Sequence, residues 1–135
     1  MQRYADWQAR LHVYLASVAR APLAYGQHDC ALFAADAICA MTGLDLAARY
    51  RGRYDSLAGG LQLLVGDGFA DHVALARAQL AQGAIAMAMP GDVAVFETDQ
   101  GSALGVVQGA SVYVLHPGGM LGLVPLTDAI EVFVV

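Results

Sequence analysis

Pro22-Leu23-Ala24-Tyr25-Gly26-Gln27-His28-Asp29-Cys30-Ala31-Leu32-Phe33 reads as a constrained loop running into an apolar, alanine-rich helix. Proline, tyrosine and glycine restrict the loop, and Asp29 is a good N-cap because its carboxylate can accept the free N–H groups of the first turn. Cys30 then becomes the first helical residue, where the positive end of the helix dipole favours a thiolate. The spacing describes a thiol placed for activation. Free cysteine is also among the most buried residue types and often only packs, so both readings stay open at this point. The helix is expected to stop at Thr42-Gly43, where glycine supplies a left-handed C-cap.

The 135 residues suit a single domain with a real core, taken as 1–135. Hydrophobic residues make up 58% and charged residues 14%, so much of the surface is neutral and suited to burial against partners. A net charge of −5 argues against nucleic acid and anionic membranes as partners of a basic patch. Cys30 and Cys39 are too few for a disulfide framework or a zinc site, and nothing implies a cofactor. Nine positions apart on one helix, they would point to different faces. A metal-binding module of His28, Cys30 and Cys39 lacks ligand spacing and ranks last. Met1 to Trp7 lacks the apolar core of a signal peptide. Gln100 to Thr127 carries no Asp, Glu, Lys or Arg, yet its glycines, Pro117 and Pro125 rule out membrane insertion as a helix. Synthesis in the cytoplasm is expected, with export only as part of an assembly.

Outward from the quoted stretch, Tyr4, Trp7, Leu11, Tyr14, Leu15 and Val18 predict an amphipathic helix over 3–19, with His12 on its solvated side. Ala21-Pro22 ends it. Asp36, inside the Cys30 helix, is read as facing water. Arg49, Arg51 and Arg53 alternate with Tyr50, Gly52 and Tyr54 in a polar connection. Either these arginines pair with Asp45 and Asp55, or the segment forms a wall of a cleft offered to a carboxylate-bearing ligand or a partner. Ser56 caps a third expected helix with Leu57, Leu61, Leu64 and Val65 as its buried stripe. Asp71 caps a fourth, to about Gln82, through Val73, Leu75, Ala78 and Leu80. His72 lies in its first turn, where the dipole disfavours a charged imidazole, and is read as surface. Beyond Gly83 the period changes to strands: Val93 to Phe96, Leu104 to Val107, Ser111 to His116, Leu121 to Pro125 and Glu131 to Val135. Helices followed by strands predict an α+β domain, its helices on one face of a small antiparallel sheet.

The Asp29-Cys30 helix start resembles the Asp-Cys-Ser-Gly nucleophile motif of NlpC-like papain-fold cysteine peptidases. Pro90-Gly91-Asp92 and the strand after it resemble the Pro-Gly-Asp strand of those domains. Gly26 to Asp36, together with Tyr50 to Tyr54, more closely resembles a small family of phage and prophage tail-gene proteins of NlpC-like type. The resemblance implies a papain-like fold, a virion-tail location, other tail-tip proteins as partners, and peptidoglycan peptides as the class of substrate. It makes Cys30 the nucleophile. Tyr25 and His28 of the loop, and Arg51, Arg53 and Tyr54 of the arginine- and tyrosine-rich segment, are the residues expected around a binding cleft.

A papain-like site also needs a histidine facing the thiol and a group that orients it. The family's histidine position aligns with Ala103, which accepts no proton. Pairing through the Gly109-Ala110 turn sets Ala103 opposite His116, so His116 is the expected base, with Asp29, the cap beside Cys30, counted in the catalytic set and His28, two residues before the thiol, as another candidate base. Two functions follow. One is a tail-tip component with silent or degenerate catalysis, which Ala103 favours. The other is an active peptidase built on Cys30 and His116.

Overall fold

A computed structural model describes residues 1–135. Helix α1 runs over Trp7–Val18, α2 over Cys30–Thr42, α3 over Leu57–Gly66 and α4 over His72–Gln79. The α2 boundaries are those expected, and Gly43 takes φ 80° at its C-cap. The first helix starts later than its apolar spacing suggests. Tyr4 N–H bonds the Met41 carbonyl and the Arg3 guanidinium reaches the Val135 and Pro90 carbonyls, so the leading residues serve as a strap.

Six antiparallel strands follow: β1 Ala81–Gly83, β2 Val93–Thr98, β3 Gly101–Val107, β4 Ser111–Leu115, β5 Leu121–Pro125 and β6 Glu131–Val134. Their order across the sheet is β1-β6-β2-β3-β4-β5. The last strand returns to lie between β1 and β2. That pairing draws Ala81–Gly83 into a short edge strand and stops α4 at Gln79, before the expected end near Gln82.

The sheet is covered on both faces. Val93, Val95, Leu104 and Phe133 pack with Ala34 and Ile38 of α2 and Val73 and Ala76 of α4. Val106 packs with Phe33, Ala37 and Met41 of α2 and Leu11 of α1. On the far face Ala94, Phe96, Val107, Val112 and Val132 meet Ala129, Ile85 and Leu126, contributed by two short 3₁₀ turns and the residues beside them. A strand covered on both faces reads as a continuous apolar run rather than an alternation, as Val93-Ala94-Val95-Phe96 does.

Register then fixes which side chains share a face. Val95 pairs with Leu104 and Phe96 with Ala103, so Ala103 stands on the far face beside Phe96, turned away from α2. The β3–β4 register, Val106 to Tyr113 and Val107 to Val112, is the one the turn implies, and the ladder ends there. Two burial expectations change. On α3 only Leu64 is buried, while Leu57, Leu61 and Val65 are exposed. On α4 the buried residues are Val73 and Ala76 rather than Leu75 and Ala78.

Candidate active site

The Asp29 carboxylate organises the site. Its Oδ1 accepts the Leu32 N–H at 2.9 Å, and its Oδ2 accepts the Gly26 N–H at 3.1 Å and the Tyr54 hydroxyl at 2.5 Å. Asp29 is buried at 4% exposure, so these three donors replace water around the charge. Its backbone carbonyl takes the Phe33 N–H. Of the first-turn amides of α2, those of Cys30 and Ala31 have no oxygen acceptor and border only the Cys30 sulfur.

Cys30, half-buried, lies at that helix start with its Sγ 3.8 Å from Nε2 of His72. Burial pushes the Cys30 thiol up, against the backbone N–H groups of Leu104, Ala31 and Cys30 itself, which favour the thiolate. Burial pushes the His72 imidazole below its ordinary value, opposed by the Asp71 charge and by a backbone hydrogen bond with Ser102. The resting pair is therefore a neutral thiol against a neutral imidazole. With Nδ1 carrying the ring proton, Nε2 accepts from the thiol.

His72 is not the surface residue expected. It follows the Asp71 cap, whose Oδ1 takes the Ala74 N–H, and shares a face of α4 with buried Ala76 four positions on. The cap was readable in the sequence; the burial of Ala76 was not, because the apolar spacing pointed to Leu75 and Ala78 instead. A helix start disfavours imidazolium, which argues for a neutral base as readily as for an exposed residue.

His116 is exposed at the end of β4, its ring lying against Gly122 of β5, outside the Cys30 pocket. The face on which the register sets Ala103 and Val112 is the one away from α2, so the structure brings His72, and not His116, to Cys30. His28 is also outside the pocket. Its ring meets Phe33 edge-on, and its Nε2 is buried without a hydrogen-bond partner.

The Arg49–Tyr54 segment divides by residue type. Tyr50 and Tyr54 line the pocket, as do Tyr25 and Asp29. The arginines point elsewhere. Arg49 holds Asp67 through two bonds, and Arg51 bridges Asp45 at 2.9 Å and Asp36 at 2.6 Å. Arg53 reaches the Arg49 carbonyl. Asp36, expected to face water, is thus a partner of Arg51, and Asp67 takes the place expected of Asp55.

A family model described as a domain of unknown function (DUF6950) matches residues 2–135. The chain belongs to that family. No curated protein matches it. Ten solved chains resemble it in structure. One is the crystal structure of the NlpC/p60 domain of the peptidoglycan hydrolase SagA, with a TM-score of 0.60 and 14% identity, covering 97% of each chain. The fold of this DUF6950 member is thus α+β and NlpC/p60-like.

Proposed function

We propose that this protein is a cysteine hydrolase of acyl compounds in which Cys30 is the nucleophile and His72 the base, working within a phage tail tip. The observation that carries the chemistry is the 3.8 Å approach of Cys30 Sγ to His72 Nε2 at a helix start with two free amides. The tail setting rests on the sequence resemblance around Gly26–Asp36 and Tyr50–Tyr54.

In the first step the thiol proton passes to His72 Nε2 as Sγ bonds to the substrate carbonyl carbon. The oxygen gains charge beside the Cys30 and Ala31 N–H groups, which act as donors to it. The bond to the leaving group then breaks, and His72 returns the proton to that group. Water, deprotonated by the same imidazole, cleaves the thioester and restores the thiol.

A second reading, a catalytically silent tail component, draws on the direction in which burial moves Cys30, which keeps it a thiol at neutral pH. The two separate on exposure to p-nitrophenyl acetate, followed by mass spectrometry of the Cys30 peptide. The expected result is an acetyl group on Cys30, absent from Cys30→Ala and formed about a hundredfold more slowly in His72→Gln. Equal acylation of wild type and His72→Gln removes the base role. No acylation at all leaves the silent component.

A further inference from the structure

Cys30 and His72 open onto a pocket of about 140 Å³ in which 19 of 23 lining residues are hydrophobic. Leu32, Ile38, Leu64 and Leu104 form its deeper walls, and Leu57 and Leu61 of α3, 55% and 44% exposed, stand where it meets solvent. Apart from the Tyr25 hydroxyl, which has no hydrogen bond, its polar lining side chains are engaged. Tyr50 donates to Asp67, Tyr54 to Asp29, and the Gln79 amide to the Leu46 carbonyl. Asp29 accepts three donors, and no arginine lines the pocket: Arg49, Arg51 and Arg77 are tied to carboxylates, and Arg53 to the Arg49 carbonyl. Beyond the thiol, the imidazole, the first-turn amides and the single Tyr25 hydroxyl, the walls offer a polar or charged substituent little to bond.

We infer that the group attached to the carbonyl that Cys30 attacks is apolar and of about six non-hydrogen atoms, a phenyl ring or a branched or short aliphatic chain. The size follows from volume, since an apolar cavity of about 150 Å³ holds one benzene. The preference follows from burial, since each methylene removed from water strengthens binding about fourfold. This inference rests on the hydrolase reading for its carbonyl, but the pocket beside the thiol is testable without turnover.

Alkylation of Cys30 by N-phenylmaleimide and N-methylmaleimide, each rate divided by that for glutathione, tests the pocket. The expected result is a preference of at least tenfold for the phenyl reagent, reduced severalfold in Leu61→Asp, a change at an exposed position of α3. A phenyl-to-methyl ratio equal to that of glutathione overturns the inference, as does a preference unchanged in both Leu61→Asp and Leu57→Asp. Turnover then identifies the source of the group. Faster hydrolysis of p-nitrophenyl hexanoate than of acetate points to an acyl chain, and faster cleavage of a phenylalanyl than an aspartyl p-nitroanilide points to a peptide side chain. Faster reaction of acetate and of the aspartyl substrate overturns the assignment. No hydrolysis with the phenyl preference intact counts against the hydrolase alone and upholds the apolar pocket at Cys30.

Discussion

At the residue scale, two groups share one pocket and burial moves their pKa values in opposite senses. The His72 imidazole is pushed below its ordinary value in the fold, whereas the unfolded chain has the usual value near 6.5. Below about pH 6.5 the unfolded chain therefore binds the proton that the folded chain resists, and stability falls as pH drops through that window. Thermal melts at pH 7.5 and 5.5 should show a smaller loss of Tm in His72→Gln than in wild type. An equal loss in both would mean that His72 titrates as an exposed histidine. Asp67, held at about 2 by Arg49 and Tyr50, acts in a different window, its contribution lost only as pH falls from the ordinary 3.8 toward that value. Cys30 runs the other way: burial raises the thiol, so its alkylation should go on rising above pH 8.5, where a free thiol is half ionised.

At the scale of elements, the loop before α2 carries the thiol and depends on Gly26. That residue has φ 82°, and a Cβ there would run into the Tyr54 carbonyl. The Gly26 carbonyl accepts the Gly52 N–H at 2.9 Å, so the loop and the Arg49–Tyr54 segment are stapled together, with Tyr54 placed over Asp29. Gly26→Ala should lose at least about 1–2 kcal/mol from backbone strain alone, read by urea unfolding, and it should also alter Cys30 labelling. A stability within about 0.5 kcal/mol of wild type would show that the loop can relax away from Tyr54. Here the sequence was informative: the Asp29 cap, the Ser56 and Asp71 caps and the Gly43 stop are local signals, each satisfied within a few residues. The α3 stripe was not legible, because apolar spacing marks a face without saying whether another element covers it.

For the whole molecule, α4 has to be brought across the sheet before His72 can meet Cys30. Arg77, one turn beyond Ala74, forks onto Glu131 of β6 with bonds of 2.8 to 3.2 Å, and Glu131 is 7% exposed. Arg77→Ala leaves that buried carboxylate without its donor and should cost about 1–3 kcal/mol by chemical denaturation. Because the same contact seats α4, labelling of Cys30 should lose part of its dependence on His72 in this variant. Unchanged labelling would assign the seating of α4 to Val73 and Ala76 alone. By itself the sequence determined the helix-then-strand order, the caps, the thiol at a helix start and the β3–β4 register, because each depends on neighbours or on a short turn. Only the tertiary structure decided which imidazole faces the thiol. His72 is 42 positions from Cys30, and its approach depends on how α2, α4 and β3 pack together. His116 was chosen by register, but register sets the pairing of residues without setting which face of the sheet the helices cover. That choice was made by the two apolar cores, one of which holds Ala103's partner Phe96 away from α2.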